Sequence, residues 1–139
     1  MTEKKQANLN RSPKVIVITG AAGYVGAMLA DQFSYSPDLE EIIAIDMKPM
    51  PDILKDNKKI HWICADLSND DWQEEVAKAN PEVLIHTAWQ IEELYDGEEN
   101  QRKLNIGGAE KVFDFAFSQP SVKKIIYFST AATYGAFNT

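Results

Sequence analysis

The sequence predicts an α/β protein built on a three-layer parallel sheet with strand order 3-2-1-4-5 and helices on both faces. Three observations lead there. Short runs rich in β-branched residues recur along the chain, and most lack the polar–apolar alternation of a strand with one wet face. Helical patterns separate most of these runs, and strand–helix–strand alternation implies right-handed crossovers and parallel pairing. The chain of 139 residues, 45% apolar and 25% charged, is sized and composed for one soluble domain.

Residues 1–12 are polar and have no apolar h-region, so they read as a mobile leader rather than a secretion signal, with the domain running over 13–139. The first strand is 15–18. Val25, Met28, Leu29 and Phe33 recur at helical spacing after it. A second strand, 42–45, leads into a segment with Pro49 and Pro51 that admits at most a short helical turn before the third, 60–64. Ser68-Asn69-Asp70-Asp71 resembles a capping box opening a helix through Ala77, and Pro81 breaks the chain before the fourth strand at 83–85. The acidic run 92–99 reads as a solvated loop and helix start. Ala109, Val112, Phe113 and Ala116 mark the next helix, and the fifth strand is 125–128. Phe113, Phe115 and Phe117 give that helix an apolar surplus, which either faces the sheet or forms a homodimer interface. The final residues, Tyr134 to Thr139, follow a strongly apolar run without a closing helix, so the domain reads as truncated.

Charge and cysteine content exclude several classes. Fourteen Lys and Arg against 21 Asp and Glu give a net charge of −7, opposite to the basic footprint of a nucleic-acid binder. The longest apolar runs are too short for a membrane-spanning helix. Cys64, the single cysteine, forms neither an intrachain disulfide nor a structural zinc site, and is expected to be a buried small hydrophobe in a cytoplasmic protein. There is no metal-ligand spacing.

The sharpest signal is Thr-Gly-Ala-Ala-Gly-Tyr-Val-Gly over residues 19–26, directly after the first strand and opening the first helix. Gly20 and Gly23 permit a tight turn and let the backbone approach a pyrophosphate, and Gly26 lets helix and strand pack closely. The helix N-terminus at Tyr24 and Val25 presents N–H groups and a partial positive charge to phosphate. The spacing is Gly-x-x-Gly-x-x-Gly rather than Gly-x-Gly-x-x-Gly, and without a following Gly-Lys-Ser/Thr it is not a Walker A loop. Asp46 closes the second strand twenty residues beyond Gly26, where a carboxylate accepts from ribose hydroxyls and repels a 2′-phosphate. A dinucleotide is therefore expected, NAD rather than NADP, with Lys48 the one nearby base arguing the other way.

With these residues in hand, the chain resembles the short-chain dehydrogenase/reductase superfamily, in particular the Rossmann-type NAD-binding part of its extended epimerase/dehydratase branch. The resemblance rests on five ordered motifs between residues 14 and 135: the glycine run, Ala65-Asp66-Leu67, His86-Thr87-Ala88, Leu104-Asn105-Ile106-Gly107-Gly108, and the segment from Phe128 to Gly135 that contains Thr130. It implies that Asp66 meets adenine, that Leu67, His86, Thr87, Ala88 and Asn105 lie against the cofactor, and that Thr130 supplies the catalytic hydroxyl. It further implies oxidoreductase chemistry on a nucleotide sugar or similar hydroxylated small molecule. Two departures stand out. Trp89 occupies a position usually held by a small residue, where its bulk narrows the cleft. The family's Tyr-x-x-x-Lys pair is absent: Tyr24, Tyr35, Tyr95, Tyr127 and Tyr134 are followed four residues later by Met28, Leu39, Glu99, Ala131 and Asn138. Binding without turnover is the expectation for these residues alone, and the alternative is a non-catalytic NAD(P)-binding sensor or interaction module.

Overall fold

The computed structural model describes residues 11–89 and 97–128. Five parallel strands, β1 (Val15–Thr19), β2 (Glu41–Asp46), β3 (Ile60–Cys64), β4 (Val83–His86) and β5 (Lys124–Tyr127), form one sheet in the order β3-β2-β1-β4-β5. This is the expected order. Register follows the apolar runs: Ile16 lies beside Ile42 and Val83, and Ile18 beside Ala44 and Ile85.

Period-two alternation sends the strand side chains into two cores. Val17, Ile43, Ile45, Ile63 and Leu84 pack on one face with Trp72, Val76, Val112, Phe115 and Ala116. Those residues come from helix α2 (Gln73–Lys78) and its N-cap Trp72, and from helix α4 (Gly108–Ser118). Ile16, Ile18, Ile42, Ala44 and Ile85 pack on the other face with Ala30, Leu39 and Leu54. Helix α1 (Tyr24–Ser34) and the short 3-10 turn Asp52–Leu54 cover that face. Helix α3 (Glu98–Arg102) runs through a π turn (Lys103–Gly107) into α4.

Four details differ from the sequence reading. On α1 the buried stripe is Gly26 and Ala30, while Met28 and Phe33 stay 43% and 37% exposed. The helix lies so close to the β1 turn that only small side chains fit along the contact line. The expected capping box does not form. Ser68 instead gives both its N–H and its hydroxyl to Asp66 Oδ1, at 2.9 and 2.7 Å. The helix starts later, at Gln73, behind buried Trp72, whose indole N–H donates to the Leu67 carbonyl at 3.2 Å. Cys64 is exposed rather than buried, because it ends the edge strand β3 where neither helix layer covers it, and its thiol donates to the Met47 carbonyl. The three phenylalanines divide: Phe115 packs on Trp72, Phe113 meets Tyr127 and His86, and Phe117 is 80% exposed.

Candidate dinucleotide site

In an open parallel sheet the strand order reverses at one place, and the crevice outside the carboxyl ends of the strands there is free to take a ligand. Here the reversal falls between β1 and β4. A cleft opens at that place, and each wall comes from the end of a strand: Gly20 and Gly23 after β1, Asp46, Met47 and Lys48 at β2, Ala65, Asp66 and Leu67 after β3, and His86 to Trp89 at β4. Leu104 and Asn105 of the π turn close it.

The glycine loop is built without slack. Gly20 has φ +70°, a left-handed conformation open to glycine, and a Cβ there would stand 2.6 Å from the Ala88 nitrogen and 2.7 Å from its Cα. At Gly26 a Cβ would meet the Gly20 carbonyl oxygen at 2.2 Å. Gly23 is different: its φ is −75°, and the one near atom is the Gly20 carbonyl oxygen at 3.2 Å. Gly23 also caps α1 with no side-chain hydrogen bond, and the first turn carries no acidic residue. The first-turn N–H groups at Tyr24 and Val25 therefore keep the positive end of the helix dipole uncompensated by side chains. Tyr24 is 86% exposed, and neither it nor Val25 nor buried Gly26 lines the cleft.

Asp46 fastens the loop to the sheet. Its Oδ2 accepts from the Ala22 N–H and its Oδ1 from the Lys48 N–H, both at 2.9 Å. Asp66 uses Oδ1 for Ser68 and leaves Oδ2 without a protein partner among the described residues. Thr87 spends its hydroxyl on the β1 carbonyl of Thr19 at 2.7 Å, joined there by its own N–H at 3.2 Å. Asn105 is 8% exposed within the π turn, a local widening common where helices serve function.

His86 is 1% exposed, with Nδ1 2.6 Å from the Thr19 hydroxyl and its ring stacked on Tyr127. Burial pushes its pKa down to about 4, so it is neutral near pH 7. Its Nε2 is buried without a hydrogen-bond partner among the described residues. Thr19 was not anticipated as part of this group; its position facing the first residue of the His-Thr-Ala segment across β1 and β4 was the available signal. Met47 and Leu104, also unanticipated, flank anticipated residues. Thr130 lies outside the described residues.

A family model described as "NAD dependent epimerase/dehydratase family" matches residues 16–139. The chain belongs to the NAD-dependent epimerase/dehydratase family. Among solved structures it is 26% identical to the ADP-L-glycero-D-manno-heptose-6-epimerase of Helicobacter pylori, covering 91% of this chain and 42% of that one with a TM-score of 0.76. It is 25% identical to the Bordetella bronchiseptica enzyme WbmG in complex with NAD, covering 91% and 40% with a TM-score of 0.78. A sterol-4-alpha-carboxylate 3-dehydrogenase (decarboxylating) of Candida albicans is 26% identical over 129 residues, 88% of this chain and 36% of the enzyme. The chain spans 34% to 36% of the length of the curated relatives it matches. No helix among the described residues is long and apolar enough to cross a membrane.

Proposed function

We propose that this chain is the NAD-binding part of an epimerase/dehydratase-type oxidoreductase, whose substrate is a nucleotide sugar or a similar hydroxylated metabolite. The observation that carries it is the cleft at the strand-order reversal, with a glycine loop open to backbone approach and a carboxylate at the end of β2. The residues present fit the dinucleotide. A Cβ-free Gly23 faces the cleft before an uncapped helix N-terminus, which suits a pyrophosphate. Asp46 would accept from the adenosine ribose, and Asp66 Oδ2 from an adenine amine. Ala88 and Asn105 would form the far wall. NAD, when bound, accepts a hydride from a carbon bearing a hydroxyl. The chain's own contribution is to bind and orient the dinucleotide and, through the Thr130 hydroxyl, to hold the reacting oxygen. No Tyr-x-x-x-Lys pair lies within these 139 residues, so none of them is assigned the removal of a proton from that oxygen.

Relatives solved with NAD, WbmG among them, support the cofactor, and the Helicobacter pylori epimerase supports the sugar class. Calorimetric titration tests the reading: NAD binds, and NADP binds at least about tenfold more weakly because the Asp46 carboxylate repels its 2′-phosphate. No binding of either overturns the reading. Equal affinity, or tighter NADP, overturns the role given to Asp46. Incubation with NAD and nucleotide sugars should give no NADH absorbance and no epimerised product, and turnover by these residues alone would refute the incompleteness.

A further inference from the structure

We infer that Trp89 is a ligand-contacting aromatic wall, which stacks on the nicotinamide half of the dinucleotide and sets how tightly that half is held. The inference rests on the dinucleotide reading above and extends it to a residue the motifs leave without a role.

The placement follows from topology. Asp46 ends β2, the glycine loop follows β1, and Trp89 stands three residues past the end of β4, on the opposite side of β1 from β2. A dinucleotide with its adenosine ribose on Asp46 and its pyrophosphate over Gly23 runs along the strand ends toward β4. Adjacent strands are about 4.8 Å apart, so β2 and β4 are separated by roughly 10 Å. The group that arrives beside Trp89 is the nicotinamide ribose and its flat ring.

Trp89 is also held in place to meet it. The backbone of Ala88 lies so close to Gly20 that even a methyl group would not fit between them. Thr87 is tied to the Thr19 carbonyl through both its N–H and its hydroxyl. The chain entering Trp89 therefore has its path fixed against the phosphate loop. Yet Trp89 is 48% exposed and forms part of the cleft lining. The other two tryptophans pack inward: Trp72 is fully buried, and Trp62 packs against the core under α1. A large aromatic surface left half open in a cleft, on a rigid support, suits a flat ring, and the positive charge of the oxidised nicotinamide adds attraction to the indole face.

The test uses the full chain and three proteins: wild type, Trp89→Phe and Trp89→Ala. Each is titrated calorimetrically with NAD and with AMP, which lacks the nicotinamide half. Stacking of this kind is worth about 1–3 kcal/mol per ring, so Trp89→Ala should weaken NAD by roughly 5- to 150-fold. Trp89→Phe should stay within about threefold, and AMP affinity should be unchanged in both. NAD should also quench wild-type tryptophan emission, and the quench should be lost in Trp89→Phe. Unchanged NAD affinity in Trp89→Ala overturns the inference. So does an equal loss for NAD and AMP, which would mark a general disturbance of the cleft. Wild type that binds neither ligand overturns the underlying dinucleotide reading, whereas normal wild-type binding with insensitive variants overturns the role of Trp89 alone.

Discussion

Replacing Gly26 and Gly23 separately by alanine should divide the glycine loop into a structural part and a binding part. At Gly26 the new Cβ would lie 2.2 Å from the Gly20 carbonyl oxygen, 2.8 Å from its carbon and 2.9 Å from Ala21 Cα. Ordinary contacts are about 3.5–4.0 Å. All three neighbours are backbone, so no side chain can swing away, and α1 must retreat from β1. Overpacking against backbone that cannot give lies in the upper part of the usual range, at about 2–3 kcal/mol, and the better helix propensity of alanine offsets about 1 kcal/mol, which leaves about 1–2 kcal/mol. For a domain of this size each kcal/mol moves the midpoint by about 3–5 °C, so Gly26→Ala should lower Tm by roughly 3–10 °C. Gly23→Ala meets one atom at 3.2 Å with an ordinary φ, so Tm should move by no more than about 2 °C. Its methyl group, however, projects into the cleft where the proposed pyrophosphate would approach, and NAD affinity should fall at least about tenfold. Thermal denaturation and calorimetry on the same samples read both quantities. A Gly26→Ala protein as stable as wild type, or a Gly23→Ala protein with unchanged NAD affinity, would refute the argument.

The two histidines should give opposite pH dependences. His86 has a folded pKa of about 4 against an ordinary 6.5, so the unfolded chain takes the proton first. Its contribution is complete above pH 6.5 and declines as pH falls toward 4, by about 3 kcal/mol in total, and His86→Asn should flatten that acid limb in urea titrations. Burial pulls the His61 pKa down, but bonds to Glu41 and Glu75 at 3.0 and 2.8 Å outweigh it and raise the value above 6.5. Its stabilisation is present below pH 6.5 and lost as pH rises through the folded value. Because the group is 40% exposed, the amount is under about 1 kcal/mol, and His61→Gln should remove it. Cys64 should react with a disulfide reagent such as Ellman's in the native protein, releasing one equivalent without denaturant; a thiol that titrates only after unfolding would contradict its exposure.

The parts of this molecule that were legible in the sequence are those in which one local rule decides the outcome. Strand order followed from buried β-branched runs separated by helices, and the loop followed from glycines placed between a strand and a helix. Where two rules compete, no local pattern decides the outcome. Ser68 had the right spacing for a capping box, but an Asp two residues earlier offered its hydroxyl a nearer acceptor. Met28 and Phe33 have the period of a buried stripe, yet the close approach that Gly26 allows leaves no depth for them. Cys64 is apolar enough for a core, but its exposure depends on β3 being the outermost strand and on where its last residue falls relative to the helices. The Thr19–His86 contact was hidden for a similar reason, since it needs the β1–β4 register and not either strand alone.

Asp46 shows why cofactor choice in this site is bound to the shape of the loop. The usual account of a carboxylate at the end of β2 concerns the ligand: it accepts from ribose hydroxyls and repels a 2′-phosphate. Here both oxygens are already engaged by the protein, one by the Ala22 N–H inside the glycine loop and the other by the Lys48 N–H beyond the strand. Each oxygen retains a further lone pair for a ribose, so the two tasks are compatible in a carboxylate. They are not compatible in an amide, which would turn one acceptor into a donor facing a backbone N–H. Nor are they in a neutral small residue, which would leave the Ala22 N–H unpaired. A chain that exchanged Asp46 to admit a 2′-phosphate would therefore loosen the glycine turn to which the pyrophosphate site is assigned above. Lys48, the nearest cation along the chain, does not replace that function, because in this arrangement its backbone is itself a donor to Asp46.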